Sequence, residues 1–550
     1  MNSFMPKKEI KAPNALKFAV VDLFAGPGGL AEGFSGATND QGLTQFKIAL
    51  SIEKDPAAHA TLLLRTFLRQ FENGFPDEYY KFLQTGGQEP DWKTLYPEEW
   101  AAAEHDALLL ELGPKKNQSI ISARISEIRK EYGDRTILIG GPPCQAYSLI
   151  GRARNRGNLG YVPEKDPRHT LYKNYIGILS ELQPAAFVME NVRGILSSSL
   201  KRKRIFDLIR HDLQNAGPGY ELLALNPPKR PKGGSSASPL DPADFVVNCE
   251  NFGVPQARHR VIIIGIRHDL MTRLTAPPVG PLLEAQFEQA TVRHVLGGMP
   301  KLRSGLSRKD SPIAWMQAVN RAGHAVSHAV RNLPVDTKRV FRDRVDKCSG
   351  YDVNSWSNCW PRSARTPYRL GPRCPTHLAA FLVDLKLNAL PNNETRGHMP
   401  SDLARYMFVS LWGELVGVSP KSNEFPEELY PNHRSWMSGD FADRFRVQLW
   451  DECSTTVTSH IAKDGHYFIH PDPAQCRSLT VREAARLQTF PDNYYFKGNR
   501  TEQYTQVGNA VPPFLARQIA SALHSVVSQC FHEDAQRGGP AAKSGRAVVI

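Results

Sequence analysis

The residue with the most direct potential for covalent chemistry is Cys144, in the segment GGPPCQAYS at 140–148. The apolar run TILIG before it predicts a buried strand that delivers the segment to the edge of a sheet. Pro142 and Pro143 fix φ and have no amide donor, so the segment should hold the thiol in one position. Free cysteines are also common in protein cores, but a core thiol needs no such frame at the carboxyl end of a strand, where these sheets bind ligands. We therefore predict that Cys144 is a nucleophile.

Three charged side chains could assist this thiol. Glu190 directly follows the apolar run AAFVM at 185–189, so its carboxylate should lie at the same sheet edge. Arg258 and Arg260 lead into VIIIGI and would point to the same face of an extended backbone, where they could orient an acid, a phosphate or a carbonyl. Taken singly, the glutamate is better explained as a helix cap or an ion-pair acid. The two arginines could equally form a basic strand edge.

A glycine-rich segment, AGPGGLAEGF, follows the apolar run FAVVDLF at 18–24. Glycines between a buried strand and a helix let the backbone approach a ligand closely. The next apolar run ends at Glu53, where an acid could hold the hydroxyls of a ribose. Together these features predict a nucleoside-containing cofactor without distinguishing NAD from S-adenosylmethionine. A purely structural strand–helix turn explains the glycines alone equally well.

Six short blocks follow one another along the chain: FAGPGG, GGPPCQ, ENV, QARHR, RSLTVREAARLQTFPD and QVGNAVPP. In this order they resemble the DNA cytosine-5 methyltransferase family, which belongs to the class I S-adenosylmethionine-dependent methyltransferases. The resemblance implies methyl transfer from S-adenosylmethionine to C5 of a cytosine within a specific duplex DNA sequence. It implies that Cys144 adds to C6 of a flipped-out base, with Glu190 donating a proton or hydrogen bond to N3. Arg260 would bind O2 and steady Glu190, and Arg258 belongs to the same expected catalytic set.

The resemblance also assigns a cofactor site. Its expected residues are Phe24, Ala25, Gly26, Gly28, Gly29, Leu30, Glu53, Pro142 and Asn509. The place of Asn509 implies that the C-terminal helix returns to pack on the first domain.

Two positions depart from the family pattern. Lys54 stands just after the ribose acid, where family members often have an aromatic residue that stacks on adenine. Family members also tend to place an Asp before the cysteine to bind the adenine amine, at a position that we match to Ser122-Ala123-Arg124. The long segment 66–118 is the place for a substitute.

The elements that must position these residues indicate an α/β fold. Short apolar runs fit strands buried on both faces, as in a parallel sheet; they lie at 18–24, 46–52, 136–140, 185–189 and 261–266. Asp55-Pro56 should begin a helix, and an apolar stripe over 171–182 predicts another that ends before Pro184. We predict a Rossmann-like S-adenosylmethionine-dependent methyltransferase domain with a mostly parallel sheet. A smaller, irregular target recognition domain completes the expected fold.

Composition and charge agree with a globular protein that binds a polyanion. Hydrophobic residues make up 41% of the 550 residues, which excludes a wholly disordered, collagenous or coiled-coil chain, and the net charge is +13. Residues 301–376 hold 15 Lys and Arg against five Asp. Their aromatic residues are Trp315, Phe341, Tyr351, Trp356, Trp360 and Tyr368. This stretch is either a nucleic-acid surface or a solvated basic face with a small core of its own.

We divide the chain at composition changes. The expected parts are a catalytic domain (15–270), a target recognition domain (271–475), a C-terminal segment that returns to the catalytic domain (476–532) and a disordered tail (533–550). Residues 113–118 and 227–239 should be loops, and the basic segment 151–170 should be a loop that closes on DNA phosphates. We expect no metal, because only Cys374 and His377 among the candidate ligands have a suitable spacing.

Cysteine usage and hydropathy bear on location and partners. Eight cysteines in 550 residues fit a reducing compartment, and we expect neither a signal peptide nor a membrane span. The expectation is a monomeric, cytoplasmic bacterial enzyme, associated with the nucleoid through duplex DNA. We expect it to be the modification enzyme of a restriction–modification system, with a cognate restriction endonuclease encoded nearby.

Three alternatives stay open at this point. A tRNA cytosine-5 methyltransferase would not need so large a basic centre. A catalytically silent DNA-binding relative would not need the intact Cys144, Glu190 and Arg260. An NAD-dependent oxidoreductase gives the PPCQ block no role.

Overall fold

A central eight-stranded sheet organises the first half of the protein. The computed structural model describes residues 16–143, 171–200, 203–226, 240–274, 281–286, 288–352, 359–366, 369–432, 436 and 444–537. Its strands are β1 (Phe18–Leu23), β2 (Phe46–Glu53), β3 (Ala107–Leu109), β4 (Thr136–Gly140), β5 (Ala186–Val192), β6 (Ser199–Leu200), β7 (Lys203–Arg204), β8 (Tyr220–Ala224), β9 (Val246–Asn248), β10 (Gln256–Ala257), β11 (His259–Arg267), β12 (Gly305–Leu306), β13 (Gly397–His398) and β14 (Ser454–Thr455). The sheet order is β3-β2-β1-β4-β5-β11-β8, and β9 pairs with β11.

The helices of the described residues cover both faces of this sheet and build the rest of the protein. They are α1 (Gly29–Ser35), α2 (Pro56–Leu68), α3 (Asp77–Thr85), α4 (Trp92–Leu95), α5 (Pro97–Asp106), α6 (Lys115–Tyr132), α7 (Leu171–Leu182), α8 (Ile205–Gln214), α9 (His268–Met271), α10 (Val292–Leu296), α11 (Pro312–Ala329), α12 (Val335–Ser349), α13 (Thr376–Leu382), α14 (Pro400–Val416), α15 (Val481–Leu487), α16 (Arg500–Asn509) and α17 (Pro513–Arg537). Within these ranges no helix is both long and apolar enough to cross a membrane.

The prediction of an α/β fold with a mostly parallel sheet is confirmed. Strands β3, β2, β1, β4 and β5 are mutually parallel, with their carboxyl ends at one edge. The apolar run VIIIGI is also a buried strand, β11, but it runs antiparallel to β5 and β8. A run buried on both faces shows that a strand is central and carries no information about its direction.

Two helices predicted from the sequence begin and end as expected. Helix α2 starts after Asp55, whose carboxylate accepts a hydrogen bond from the Ala58 amide at 2.9 Å. Helix α7 buries Tyr175, Ile178 and Leu182 on one side of the sheet.

The C-terminal helix α17 packs on the opposite face of the sheet, against α1. Leu515, Ile519 and Leu523 of α17 share one core with Phe18 and Val20 of β1. The two helices approach so closely that a Cβ on Gly33 would lie 2.4 Å from the Cβ of Ala516. The end of the chain is therefore a structural part of the first βαβ unit.

Three segments differ from the sequence expectation. Residues 115–118, expected in a loop, form the first turn of α6, and α17 continues to Arg537, five residues into the expected tail. The part expected to be irregular contains five α-helices among its described residues, α10 to α14, separated by irregular segments. Trp315 and Phe341 are fully buried in its core, so these aromatic side chains are not on a nucleic-acid surface. Trp356 and Tyr368 lie outside the described residues, as do 151–170, 227–239 and 538–550.

The close approach of α1 and α17 gives a testable prediction. Gly33→Ala should destabilise the protein by about 1–3 kcal/mol, because the new methyl group would collide with the backbone of α17. Gly177→Ala on α7 is the control: its Cβ would meet nothing within 4 Å, and alanine should stabilise that helix by about 0.5–1 kcal/mol. Urea unfolding of both variants measures the difference; equal effects would contradict the packing described here.

Candidate functional site

The loop Phe24–Gly28, between β1 and α1, has a left-handed backbone at three positions. They are Phe24 (φ 55°), Gly26 (φ 57°) and Gly28 (φ 93°). This conformation costs little at glycine but roughly 1–3 kcal/mol at Phe24, so the surrounding structure must hold the loop. A Cβ on Gly26 would meet no atom within 4 Å, whereas one on Gly28 would lie 3.0 Å from the Tyr494 hydroxyl. The loop is thus open at Gly26 and supported at Gly28.

Glu53 ends β2 beside this loop and fixes its position. One carboxylate oxygen, Oε2, accepts a hydrogen bond from the Gly26 amide at 2.7 Å. The other, Oε1, accepts from the amides of Lys54 at 2.8 Å and Asp55 at 2.7 Å. Oε1 already accepts two hydrogen bonds, whereas Oε2 accepts one and has capacity for another, so the carboxylate can still accept from one ribose hydroxyl.

The carboxyl ends of β4 and β5 bring the proline segment against Glu190. Asn191 Nδ2 donates to the Pro142 carbonyl at 3.3 Å, and Asn191 is buried. A Cβ on Gly141 would lie 3.0 Å from Glu190 Oε2. Cys144 itself lies outside the described residues, but the segment that leads into it borders the Glu190 carboxylate. The sequence analysis assigned no role to Asn191, although it stands in the ENV block.

Arg260 pairs with Glu190 as its place in the sequence suggested. Its Nε lies 2.9 Å from Glu190 Oε1, and both side chains are only 13% exposed. The antiparallel pairing of β11 with β5 produces this contact, because Arg260 is in register with Val192 at the same edge. An ion pair removed from water in this way keeps a fixed geometry.

Arg258 serves a different purpose from the one expected, and its assignment to the catalytic set is corrected. Its guanidinium is 1% exposed and donates to the carbonyls of Val457 (2.9 Å), Gly508 (3.3 Å) and Ala510 (2.8 Å). All three acceptors belong to the C-terminal part of the chain. Because the guanidinium donates its hydrogen bonds to these backbone carbonyls, Arg258 positions the C-terminal part of the chain.

The segment around Asn509 lies directly beside the glycine loop. A Cβ on Gly29 would lie 2.4 Å from the carbonyl oxygen of Val511. Asn509 is exposed at the end of α16, two residues before Val511. The Leu30 side chain is buried in the core between α1 and α17, so only its main chain can face a ligand.

The two departures from the family pattern lie at different places in the structure. Ser122-Ala123-Arg124 lies within α6 and not at the end of a strand, which corrects the expected position of an adenine-binding acid. The sheet shows the equivalent edge after β3, where the Leu110 amide donates to the Glu53 carbonyl at 3.0 Å. Glu111 follows, and its Oε1 lies 3.2 Å from Lys54 Nζ.

A buried charged cluster supports the glycine loop from behind. Glu32, in α1, accepts hydrogen bonds at 2.9 Å each from Arg65 of α2 and from Arg69, which directly follows α2. Burial alone would raise the pKa of Glu32, but the two guanidinium groups outweigh burial and lower it to about 2. The Asp22 carboxylate, just before the loop, has no hydrogen-bond partner among the described residues, and burial raises its pKa to about 8. Sequence reasoning missed this cluster, because nothing in the spacing of α1 and α2 residues shows that they meet.

Comparison with known proteins relates these motifs to one family. A sequence profile described as "C-5 cytosine-specific DNA methylase" matches residues 101–309 and 382–525. Type II methyltransferase M.Bpa9945I of Bacillus paralicheniformis is 33% identical over 526 residues, 92% of this chain and 99% of its own. Type II methyltransferase M.DdeI of Desulfomicrobium norvegicum is 26% identical over 74% of this chain and 78% of its own. M.AgeI of Thalassovita gelatinovora is 27% identical over 72% and 84%.

The buried Glu32 carboxylate gives a prediction about acid stability. The pKa of Glu32 falls from 4.5 in the unfolded chain to about 2 in the folded protein. The ionised carboxylate therefore stabilises the fold fully above pH 4.5, and this contribution is lost as the pH falls toward 2. Wild type should therefore lose up to about 3 kcal/mol of unfolding free energy through this group, and Glu32→Gln should lose none of it. Urea unfolding between about pH 5 and pH 3 measures the difference.

The control for this experiment is Glu221→Gln, which changes an exposed acid on β8. Its pH dependence should follow that of wild type. Parallel pH profiles of wild type and Glu32→Gln would mean that the cluster does not ionise as described.

Proposed function

Because the chain belongs to the C-5 cytosine-specific DNA methylase family, we propose that it transfers a methyl group from S-adenosylmethionine to C5 of cytosine in duplex DNA. The observation that carries this proposal is the meeting of two features at the carboxyl edge of the sheet. The Gly141-Pro142 segment that leads into Cys144 borders the Glu190 carboxylate, which Arg260 holds at 2.9 Å. This arrangement suits nucleophilic attack on a ring whose developing charge needs a proton donor.

The residues around the glycine loop fit S-adenosylmethionine. The open side of Gly26 leaves room for the methionine part against the main chain of Phe24, Ala25 and Gly28. Glu53 Oε2 retains acceptor capacity for one ribose hydroxyl. Bound there, the cofactor supplies an electrophilic methyl group. Pro142, Gly29, the Leu30 main chain and Asn509 complete the proposed pocket.

We place the adenine end of the cofactor against the Lys54–Glu111 pair. This pair stands at the ends of β2 and β3, next to the ribose acid. The Glu111 carboxylate can accept a hydrogen bond from the adenine amine, and the stem of Lys54 can cover the ring in place of an aromatic side chain.

The proposed reaction begins with the thiolate of Cys144. It adds to C6 of a cytosine flipped out of the duplex, because C6 is not accessible in stacked DNA. The addition would make C5 nucleophilic, and C5 would take the methyl group from the sulfonium sulfur, with S-adenosylhomocysteine as the leaving group. A base then removes the proton from C5, and elimination releases the cysteine.

Glu190 and Arg260 control the charge that this addition creates on the ring. Arg260 occupies Oε1 of Glu190, which leaves Oε2 beside Gly141 and the approach to Cys144. We propose that Oε2 carries a proton to N3 and that Arg260 also binds O2. The low exposure of both side chains strengthens these charge-assisted contacts relative to water.

The named relatives suggest the biological setting. They are described as type II methyltransferases, and we propose that this enzyme likewise protects DNA from a cognate restriction endonuclease. We further propose that it acts as a monomer and resides on DNA in the bacterial cytoplasm.

Methyl incorporation tests the proposed activity directly. Purified enzyme with labelled S-adenosylmethionine should methylate duplex DNA and not tRNA, and bisulfite sequencing should show modified cytosines in one sequence context. Labelling of tRNA alone, or of adenine, would contradict the proposal.

The covalent step predicts a trapped complex. Duplex DNA containing 5-fluorocytosine should form an adduct that survives denaturing electrophoresis, because no base can remove fluorine from C5. Cys144→Ala should abolish both adduct and turnover and should still bind DNA. Cys374→Ala removes a half-buried thiol elsewhere and should behave as wild type. An adduct formed by Cys144→Ala would remove this residue from the mechanism.

The proposed proton donor predicts a large effect on rate. Glu190→Gln should lower the single-turnover rate by roughly 10²- to 10⁴-fold, with little change in DNA affinity. Glu250→Gln is the matched control, since its carboxylate pairs with His259 at 2.7 Å on the same strand as Arg260. A near-normal rate for Glu190→Gln would exclude the proposed role.

A further inference from the structure

We propose that the segment 71–106 is a brace for the cofactor-binding loop and that Tyr494 is the positioning residue through which it acts. This inference rests on the proposed function, because it is there that the cofactor is placed on the loop Phe24–Gly28. The brace would set the affinity for S-adenosylmethionine without touching the reacting atoms.

Tyr494 holds the side of the loop opposite to Glu53. Its ring is fully buried, and its hydroxyl donates a hydrogen bond to the carbonyl of Pro27. The same hydroxyl lies where a Cβ on Gly28 would approach to 3.0 Å. Glu53 fixes Gly26 from the side of β2. The strained loop is thus held at two neighbouring residues by two distant parts of the chain.

Arg65 connects Tyr494 to the segment 71–106. Its guanidinium lies 4.9 Å from the centre of the Tyr494 ring and 4.7 Å from the centre of the Phe75 ring. Two of its nitrogens bind the carboxylate of Glu32 in α1. Cation–π contacts in a buried site fix the relative position of both rings. Phe75 therefore contributes to the placement of Tyr494 and of the helix that follows the loop.

The segment 71–106 also binds Asn493, the residue before Tyr494. The hydroxyl of Tyr79 donates to the Asn493 carbonyl at 2.7 Å. The hydroxyl of Tyr80 and the side-chain Nδ2 of Asn493 both donate to Asp384 Oδ2, at 2.8 Å and 2.6 Å. These bonds anchor Asn493 on one side to α3 and on the other to the loop after α13. The position of Tyr494 follows from that anchor.

Composition argues against a DNA-binding role for the segment 71–106. It carries nine acidic residues against two lysines in a protein of net charge +13. Such a surface repels a phosphate backbone. Its aromatic residues instead form a core with Phe67 and Leu68 of α2. A rigid, acidic module packed on the helix behind the loop suits support better than recognition.

The physical effect of the brace is preorganisation. The left-handed conformation of Phe24 persists only while its surroundings impose it. If the loop relaxes, part of the binding energy of the cofactor must restore it. The chemical step, once the cofactor is bound, involves none of these residues. Weaker binding with an unchanged kcat is therefore the expected signature.

Tyr494→Phe tests the hydrogen bond to Pro27 and retains the ring on Arg65. The Kd for S-adenosylmethionine, measured by isothermal titration calorimetry, should rise about fivefold, as for one lost hydrogen bond. The kcat at saturating cofactor and the Kd for DNA should change by less than about twofold. Tyr504→Phe is the matched control: its buried hydroxyl donates to the Leu479 carbonyl at 2.6 Å, away from the loop.

A second pair of variants tests the segment itself. Phe75→Leu removes the aromatic face from Arg65 and should raise the same Kd, whereas Tyr96→Phe removes only an exposed hydrogen bond to Glu78 and should not.

The outcomes separate this inference from the proposed function. If wild type binds no S-adenosylmethionine, the proposed function fails. If wild type binds but Tyr494→Phe raises Kd less than about threefold, or Tyr504→Phe raises it equally, the brace is refuted.

Discussion

The three hydrogen bonds of Arg258 connect the start of β11, in the central sheet, to the C-terminal part of the chain. The guanidinium stands beside β11 and binds carbonyls at Val457, Gly508 and Ala510. Burial, together with the nearby charge of Arg260, lowers the pKa of Arg258 to about 9, so the group remains charged at neutral pH. Without it, three carbonyls would lose their partner in a place where water cannot replace it. The segment around Asn509, and with it one wall of the proposed cofactor site, depends on this one side chain.

The strands that carry the proposed site could be predicted from the sequence. The contacts between the side chains on them could not. The runs that became β1, β2, β4, β5 and β11 could be recognised because burial on both faces leaves a continuous apolar signature. The helix over 312–329 was not predicted, because the stretch 301–376 that contains it was interpreted from its basic and aromatic composition. Long-range partners such as Tyr494 and Pro27 leave no local signature at all. Only the folded chain shows them.

The same limit explains the outcome for the two arginines. Their alternation predicted a shared face, and the ion pair of Arg260 with Glu190 fits that expectation. What the pattern could not show is that the carbonyls of the C-terminal segment would occupy Arg258. A residue type and its spacing define what a side chain can bind. Which partner it binds depends on the groups that lie next to it in the folded protein.

Gly141 lies between the two parts of the proposed active site, the proline segment after β4 and the Glu190 carboxylate of β5. Because glycine has no side chain, the two can lie side by side. Glu190 lies near the carboxyl end of β5, and Cys144 stands after β4 in the sequence, 46 residues earlier. The parallel pairing of these strands brings their ends together, and a Cβ at Gly141 would lie 3.0 Å from Glu190 Oε2, so a side chain there would displace the carboxylate. With glycine there, Asn191 can reach the Pro142 carbonyl. The two prolines therefore begin at a point that is held by β5, the same strand that presents the Glu190 carboxylate.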